Sequence, residues 1–582
     1  MRNGIAVLGG CFLFMAGCGN GNRPAVTTGV LQAGGVTGVA YSTPTQSGIT
    51  DANGTFRYVT GETVSFSIGR VELGSTAGAE KVSLFTLAGI AAPASEPALR
   101  AALEIMSAKP TAFSRAVNIT RFLMALDADG NPANGIDANN REAALAGVSL
   151  DFDLSFTEFG RALDRKVPDI TRNIPLWVPV AQLFRMSGVR IPVHAITRIQ
   201  TTSEYSPLPV FTQSKSYDVV GNLAAEGSDI DGDGLDDLHY RYNYDALGRV
   251  LSGIGENGQN SFFQPRYSLT RYTYDAQGNQ QSIFQESDDE ADGRIDSRGN
   301  FESVFDRFGN NVSGTRRYDS DGDGDIDQVE TVATTFDARS LGESSVQSVD
   351  NNGDGIADSR ATAAATYDPQ GRMLSNAYEF DGNLDGVADS RWAFHYEYSG
   401  TGRAQRTVQE YEEDFGAIRQ RYVFTYEFDM ANDLVRSASE FDDDGDGIID
   451  SRQSVTFTHR VDGRLLGTVR LPDYDGDGVT ESPTEETYLY DAAGTRRTVV
   501  RRTVYTGYVT GPGVRIGIPT TRTEYGADGE LLSSARGFDF DGDLIPERVE
   551  SRTTVTHALV ADGVLLLARE FMVGGGVTAQ FF

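Results

Sequence analysis

Residues 381–411 read DGNLDGVADSRWAFHYEYSGTGRAQRTVQEY, and this stretch carries the pattern that dominates the chain. It opens with an acidic loop that runs from Asp381 to Asp389. Aromatic residues then alternate with small or polar ones from Trp392 to Tyr398, which is the period of a β-strand with one aromatic face. A Gly-rich turn and a second strand follow. The stretch therefore predicts a β-hairpin that is preceded by an acidic loop.

The same unit recurs from about residue 206 to residue 582. Eight acidic loops begin at Asp229, Asp288, Asp319, Asp350, Asp381, Asp442, Asp473 and Asp539. The four that begin between residues 288 and 381 are spaced by 31 residues, and the longer gaps fit three degenerate copies, which makes about eleven units. A single hairpin is marginally stable and needs neighbours to bury its aromatic face. We expect a long array of β-hairpin repeats that forms a solenoid or an open barrel, with a β-propeller as the alternative.

The acidic loops have the composition of a site for a hard cation. Carboxylates at positions 1, 3, 5 and 9 of a loop converge when a glycine at position 6 allows a sharp turn, and the backbone carbonyl at position 7 adds another oxygen. The last loop has Leu544 at position 6 in place of the glycine. The predicted ligands are Asp229, Asp231, Asp233 and Asp237; Asp288, Glu290, Asp292 and Asp296; Asp319, Asp321, Asp323 and Asp327; Asp350, Asn352, Asp354 and Asp358; Asp381, Asn383, Asp385 and Asp389; Asp442, Asp444, Asp446 and Asp450; Asp473, Asp475, Asp477 and Glu481; and Asp539, Asp541, Asp543 and Glu547.

Oxygen ligands in this arrangement favour Ca²⁺, and closely packed carboxylates repel one another unless a cation neutralises them. We expect about eight structural calcium ions, one for each loop. The bidentate Glu at position 12 of an EF-hand is mostly missing, so the expected dissociation constants are around 10⁻⁴–10⁻³ M. Solvated acidic turns that bind no metal, and a halophile-type acidic surface, are the alternatives.

The hairpin turns carry a second motif. It is found in Tyr244-Asp-Ala-Leu-Gly-Arg249, Tyr274-Asp-Ala-Gln-Gly-Asn279, Tyr367-Asp-Pro-Gln-Gly-Arg372 and Tyr490-Asp-Ala-Ala-Gly494. These turns resemble the Tyr-Asp (YD, or RHS-type) repeats of bacterial surface and toxin shells, and the acidic loops resemble those of thrombospondin type 3 repeats, which are EF-hand-like. The resemblance covers the last two-thirds of the chain. It implies a bacterial surface protein built from calcium-bound β-repeats.

The first residues read as an export signal. Arg2 precedes a short apolar run that ends in Met15-Ala-Gly-Cys18. This ending resembles the lipobox of bacterial lipoproteins, which implies cleavage before Cys18 and lipid on its sulfur. Gly19 after the cysteine implies, by the same analogy, an outer-membrane lipoprotein that is periplasmic or surface-exposed. We therefore expect a signal peptide over 1–17 and a tether over 18–27.

Two further regions separate the tether from the array. Short alternating segments and the Asn53-Gly54 turn signal predict a small β-sandwich module over 28–90. Helical apolar spacing predicts a mainly helical region over 91–205, with helices at 98–109 and 111–126 separated by Pro110. The repeat array occupies 206–582. The fold class is mainly β.

The function classes follow from charge and from the absence of catalytic motifs. A net charge of −32 argues against nucleic acid as a partner. The five histidines have no zinc-type spacing, and no nucleophile elbow or phosphate-binding loop is present, so we do not expect an enzyme. The leading hypothesis is a lipid-anchored scaffold for adhesion or for the envelope, stiffened by calcium, whose partner is a surface protein or a glycan.

Two alternatives remain open. The aromatic strands, with Trp392, Phe394 and Tyr396, could bind carbohydrate, although alternation on one face is also the pattern of a buried core. A calcium-dependent hydrolase would require a repeat unit whose acidic residues depart from the pattern and lie in a pocket.

Overall fold

Strands dominate the computed structural model of this chain, with 51% of residues in strands and 12% in helices. This confirms the mainly β prediction. The structure describes residues 25–32, 35–108, 110–128, 134–167, 174–175, 177–258, 266–400, 402–413, 417–430, 433–461, 463–492, 494–503 and 517–573. The predicted signal peptide and Cys18 lie outside these residues.

Short strands build the first part of the chain. They form a three-stranded sheet in the order β5-β1-β8, a four-stranded sheet in the order β4-β3-β6-β7, and a two-stranded pair, β2-β9. Their bounds are β1 Val26–Leu31, β2 Val36–Thr37, β3 Ala40–Ser42, β4 Ser47–Ile49, β5 Thr55–Val59, β6 Thr63–Ile68, β7 Val71–Ala77, β8 Lys81–Val82 and β9 Ile136–Asp137.

Helices pack beside these strands and supply most of the residues of the packed core. They are α1 Leu84–Leu87, α2 Glu96–Ala108, α3 Ala112–Leu126, α4 Phe156–Lys166, α5 Val178–Ser187 and, near the other end of the chain, α6 Val564–Val573. Helix α3 begins where Thr111 and Ser114 form a reciprocal capping box, which satisfies backbone N–H groups at the helix start. The core cluster joins the rings of Phe56, Phe122 and Phe184 to Leu567 of α6.

The rest of the chain forms one continuous antiparallel sheet. Its strands are β10 Val193–Ser203, β11 Ser206–Tyr217, β12 Leu223–Asp229, β13 Leu238–Tyr244, β14 Val250–Asn257, β15 Tyr267–Tyr274, β16 Gln280–Asp288, β17 Ser297–Phe305, β18 Asn311–Asp319, β19 Gln328–Phe336, β20 Gly342–Asp350, β21 Ser359–Tyr367, β22 Met373–Asp381, β23 Ser390–Tyr398, β24 Ala404–Glu413, β25 Ala417–Phe428, β26 Leu434–Asp442, β27 Ser451–His459, β28 Leu465–Asp473, β29 Thr484–Tyr490, β30 Arg496–Thr503, β31 Ile518–Tyr525, β32 Leu531–Asp539 and β33 Arg548–Val560.

This sheet is a closed barrel of 24 strands, so the predictions of a solenoid, an open barrel or a propeller are wrong. The first and last strands, β10 and β33, pair along their length from Val193↔Val560 to Ser203↔Ser551. Closure removes the two exposed edges that an open sheet of this length would present. The sheet also starts at β10, earlier than residue 206, where the repeat pattern becomes readable in the sequence.

An ion pair completes the seam between the first and last strands. The guanidinium of Arg548 holds both carboxylate oxygens of Glu204, at 2.6 and 3.2 Å. The hydrogen bond from Arg548, helped by one from Tyr205, lowers the pKa of Glu204 to about 2. The pair is solvent-exposed, so its contribution to stability is small and it acts mainly to fix the register of the seam.

One rim of the barrel is formed by hairpin turns of a single type. In each described turn the first residue donates its N–H to the carbonyl of the fifth, as in Asp245 to Arg249 at 3.0 Å. Eleven turns have this bond, and the first residue is Asp in eight of them. The aspartate side chain accepts the N–H groups of the third and fifth residues, as Asp275 does from Gln277 and Asn279. This local Asx geometry explains why the motif carries an aspartate.

The tyrosine and the arginine of the motif connect successive turns. The Tyr398 hydroxyl donates to the carbonyl of Met373 in the preceding hairpin at 2.8 Å. The guanidinium of Arg372 lies over the ring of Tyr398, 4.7 Å from its centroid. Among the described residues, six tyrosines make the equivalent bond to a preceding strand: Tyr217, Tyr244, Tyr274, Tyr367, Tyr398 and Tyr490. The turn rim is therefore held together by side chains as well as by the backbone.

The N-terminal domain, which comprises β1–β9 and α1–α5, lies against the turn rim together with α6. Arg569 of α6 donates to the carbonyl of Gly248, and its guanidinium lies 5.1 Å from the centroid of the Trp177 ring. Arg100 of α2 lies against Gly529 in another turn. These contacts bound a cavity of 1680 Å³ between α2, α6 and the barrel wall. The acidic loops form the opposite rim.

Candidate metal centre

The eight acidic loops all connect the second strand of one hairpin to the first strand of the next. Because successive strands are antiparallel, the turns fall on one rim and the loops on the other. In every loop the N–H of position 9 donates to the carbonyl of the residue before position 1, at 2.7–3.0 Å. This bond closes the loop on itself and brings positions 1 and 9 together.

Backbone N–H groups orient the predicted ligands within each loop. One carboxylate oxygen of position 1 accepts a hydrogen bond from the backbone N–H of position 6. In the same way, the side chain of position 3 accepts from the N–H of position 5, the side chain of position 5 from the N–H of position 7, and the side chain of position 9 from the N–H of position 2. In the loop at 442–450 these distances are 3.0, 3.1, 2.7 and 2.6 Å. The pattern recurs in the other loops, with Glu290 as the exception at position 3. At position 1 the second oxygen, Oδ1, also accepts a backbone N–H in five loops, which begin at Asp229, Asp288, Asp350, Asp442 and Asp539.

The aspartate at position 1 is the most informative ligand because it is buried. The exposed fraction at this position is 3% for Asp319, 6% for Asp473 and 0% for Asp539. The Oδ1 atoms of Asp319, Asp381 and Asp473 are buried and accept no hydrogen bond from the described residues. A buried carboxylate oxygen without a donor is costly unless a cation contacts it. These orphaned oxygens therefore fit a metal site.

The structure brings many of the predicted ligands together in four loops. One ligand atom from each member lies within 4.8 Å of the others in four loop sets: Asp473, Asp475, Asp477 and Glu481; Asp539, Asp541, Asp543 and Glu547; Asp229, Asp231 and Asp237; and Asp319, Asp321 and Asp327. The predicted ligands that begin at Asp288, Asp350, Asp381 and Asp442 occupy the same positions of loops closed in the same way. These acidic clusters could hold metal ions, and their all-oxygen donor sets suit a hard cation.

Two of the loop carboxylates, those of Asp327 and Asp350, are stabilised in their charged form. Hydrogen bonds from the hydroxyl and the N–H of Ser320 lower the pKa of Asp327. For Asp350, burial acts to raise the pKa, but backbone hydrogen bonds led by that of Gly355 outweigh it, and the pKa is lowered. Asp327 and Asp350 are therefore anionic at neutral pH before any cation binds.

Neighbouring loops pack directly on one another, which the sequence analysis missed. The glycine at position 4 faces the backbone carbonyl at position 8 of the preceding loop. A Cβ atom on Gly353 would lie 1.8 Å from the carbonyl oxygen of Ile326, and one on Gly322 would lie 1.9 Å from that of Ile295. The first glycine of the DGDG sequence, at position 4, was the available signal. Its role is to let the loops stack.

In two places an arginine that follows one acidic loop contacts the next acidic loop. Arg298 donates to the carbonyl of Gly322 in the next loop at 3.4 Å and lies 3.6 Å from Oδ2 of Asp319. Arg452 makes the same contacts with Gly476 and Asp473, at 3.2 and 3.7 Å. These cations offset part of the charge at position 1, while Oδ1 of both aspartates still has no hydrogen-bond donor.

Position 6 has the positive φ that the predicted turn requires. The seven glycines there have φ between +86° and +99°, and Leu544 in the last loop has φ +71°. A leucine in this conformation is strained, by about 1–2 kcal/mol.

We therefore expect Leu544→Gly to raise the free energy of unfolding by about 1 kcal/mol, because relief of the backbone strain outweighs the loss of the half-buried leucine side chain. Urea unfolding would measure the change. Ile545→Gly, at the adjacent exposed position, is the matched control and should not stabilise. Equal effects of the two substitutions would contradict strain at position 6.

The aromatic strand residues line the inside of the barrel. Tyr490 borders the cavity inside the barrel, and Tyr398 occupies the equivalent place because its hydroxyl makes the same hydrogen bond. Trp392, Phe394 and Tyr396 alternate in step with Tyr398 along β23, so their side chains also face the lumen. All three are half-buried. These rings therefore do not form a packed core, which was the other interpretation of their alternation on one face.

Comparison with known proteins adds little to this geometry. No protein-family model and no curated protein matches the chain. Among solved structures, it is similar to the crystal structure of TcdB2-TccC3-TEV, with 13% identity and a TM-score of 0.26 over 63% of this chain and 18% of that chain. The crystal structure of TcdB2-TccC3 without its hypervariable C-terminal region gives 13% identity and a TM-score of 0.12 over 64% of this chain and 28% of that chain.

A porin-like protein from Bacteroides vulgatus is also similar, with 7% identity and a TM-score of 0.18 over 63% of this chain and 99% of that chain. The chain thus spans less than a third of the TcdB2-TccC3 structures that it matches. TM-scores this low do not establish a shared fold or a shared activity. Within the described residues, no helix is long and apolar enough to cross a membrane.

Proposed function

We propose that this chain is a calcium-binding scaffold of the bacterial envelope or cell surface, tethered by lipid on Cys18 and without enzymatic activity. The barrel supplies the rigid body, and about eight Ca²⁺ ions in the loops join neighbouring hairpins at the rim opposite the turns. The observation that carries the proposal is the set of buried, donor-free Oδ1 atoms at position 1 of three loops.

Calcium is favoured over magnesium by the kind of site. Each loop offers several carboxylate oxygens and a position-7 carbonyl on a flexible turn, and Ca²⁺ accepts six to eight oxygens in irregular geometry. Mg²⁺ requires a near-ideal octahedron and keeps several waters. The stacking of position-4 glycines on the preceding loop means that an ion in one loop also stiffens its neighbour.

Calorimetric titration of Ca²⁺ into the full chain tests the proposal. We expect about eight sites. The expected dissociation constants are around 10⁻⁴–10⁻³ M. Asp319→Asn should remove one site, because position 1 contributes the buried oxygen. Asp325→Asn changes an exposed position-7 side chain of the same loop and should leave the number of sites unchanged. Absence of binding, or an equal loss in both variants, would refute the proposal.

The loop rim also supports a role in contact with a partner. Position 7 carries an exposed aliphatic side chain in six loops: Leu235, Ile356, Val387, Ile448, Val479 and Ile545, with exposed fractions of 49–71%. Exposed apolar groups arranged in a row, among charges, are typical of interaction surfaces. The row supports adhesion to a surface protein as the function of the rim.

Carbohydrate binding is the second candidate, and it rests on the lumen wall. Tyr378, Trp392 and Tyr411 are direct cross-strand neighbours on β22, β23 and β24, and the rings of Trp392 and Tyr411 lie 4.5 Å apart. Such adjacent half-exposed rings offer a stacking surface for sugars. A glycan array should then give hits that Trp392→Ala abolishes. An array without hits would remove this candidate.

A further inference from the structure

A second cluster of metal-ligating side chains lies at the turn rim, far along the strands from the acidic loops. His194 on β10 meets Asp528 and Glu530 of the β31–β32 turn, and one ligand atom from each lies within 4.8 Å of the others. His194 is isolated in the sequence, and we expected no metal role for it. Barrel closure brings it to this turn, because β10 pairs with β33 and β33 pairs with β32.

The turn that contributes the two carboxylates departs from the repeat. Gly526 stands where eight of the other turns have the aspartate that accepts the turn N–H groups. The acidic residues stand instead at 528 and 530. The side chain of Asp528 is 44% exposed and borders the 1680 Å³ cavity. Its carboxylate is therefore accessible to an ion that enters the cavity.

The ring of His194 is held in the way that metal-binding histidines are held. Its Nδ1 lies 2.8 Å from Oε2 of Glu96, whose side chain is 2% exposed. Glu96 also accepts from the backbone N–H of His194 at 2.9 Å. A carboxylate that accepts from Nδ1 fixes the tautomer and leaves Nε2 for a metal. Oδ2 of Asp528 lies 3.8 Å from Nδ1, so this carboxylate must shift toward Nε2 when an ion binds.

The local charge also favours a cation. Glu96 and Glu570 hold the guanidinium of Arg100, and Asp528 and Glu530 add two further carboxylates beside His194. Arg100 is already shared between Glu96 at 2.7 Å and Glu570 at 3.1 Å. Net negative charge therefore remains around the His194 cluster, and a divalent ion would offset it.

A second histidine stands beside this cluster. The ring centroid of His557 on β33 lies 6.2 Å from that of His194. Its Nε2 atom is buried and has no hydrogen-bond partner among the described residues. His557 is therefore the candidate for a fourth ligand.

We propose that His194, Asp528 and Glu530, with His557 as the fourth ligand, bind a zinc-type divalent cation. Mixed imidazole and carboxylate donors suit zinc and its neighbours in the transition series, in contrast to the all-oxygen loops. The ion would clamp β10, next to the seam, to the β31–β32 turn. Through Glu96 it would also fix α2 of the N-terminal domain against the barrel.

Titration of Zn²⁺ into the full chain in excess Ca²⁺ tests this assignment, with Co²⁺ as a spectroscopic substitute. We expect one site beyond the acidic loops and visible Co²⁺ absorption typical of four-coordination. Loss of a ligand should weaken zinc binding by about 100-fold or more. Removal of a residue that only hydrogen-bonds to a metal ligand already weakens metal binding by about 10–100-fold. Asp528→Asn and His194→Ala should both show this loss.

His395→Ala is the matched control, because His395 is exposed on the outer face of β23. It should bind Zn²⁺ as the unmodified chain does. Asp528→Asn alters a half-exposed turn side chain, so it remains informative if His194→Ala fails to fold. Absence of a zinc site, or equal affinity in Asp528→Asn and His395→Ala, would overturn the proposal. Neither result depends on whether the loops bind calcium.

Discussion

Calcium is expected to raise the melting temperature of the full chain by about 10 °C or more. A ligand that binds only the folded state stabilises it by about 2.7 kcal/mol per site at 100 times its dissociation constant. With a dissociation constant near 10⁻⁴ M, about 10 mM Ca²⁺ reaches that ratio. Eight sites in one cooperative barrel would add on the order of 20 kcal/mol. Differential scanning calorimetry with and without chelator measures the shift.

Charge screening must be separated from site binding in this experiment, because the chain has a net charge of −32. Any salt reduces the repulsion between exposed carboxylates. NaCl at matched ionic strength, and Mg²⁺ at equal concentration, are therefore the controls. We expect both to give a small fraction of the calcium effect. An equal shift with NaCl would show that the loops are solvated acidic turns.

Gly353→Ala is expected to destabilise the chain by more than about 3 kcal/mol. The new Cβ would lie 1.8 Å from the carbonyl oxygen of Ile326, so the neighbouring loop would have to move. Backbone atoms cannot yield as a flexible side chain can, and overpacking alone typically costs 1–3 kcal/mol. The positive φ of +68° adds about 1–2 kcal/mol of strain. Urea unfolding measures the total decrease in the free energy of unfolding.

Gly355→Ala supplies the matched control two residues away. Gly355 has a similar φ of +88°, but a Cβ there would meet nothing within 4 Å. We expect a cost of about 1–2 kcal/mol from backbone strain alone. Gly353→Ala should also weaken calcium binding in the preceding loop, at 319–327, because Ile326 belongs to it. Equal destabilisation by the two substitutions would mean that the loops do not support one another.

The sequence by itself determined the features that local contacts build. The acidic loops close through hydrogen bonds within nine residues, and the turns through bonds within five, so their residue patterns predict their geometry directly. The alternation around Trp392 predicts a strand with one aromatic face. The capping threonine Thr111 precedes a helix predicted at 111–126 and found as Ala112–Leu126. These elements could be derived because each depends on residues close together in the chain.

The tertiary structure alone decided how the strands close and what closure brings together. The seam joins Thr201 to Thr553, which are 352 residues apart, and the same repeat pattern is compatible with a solenoid. Closure depends on the twist and stagger accumulated over 24 strands, which no single repeat encodes. The meeting of His194, Asp528 and Glu530 follows from closure. It could not be derived from spacing, because strands distant in the chain become neighbours only when the barrel is complete.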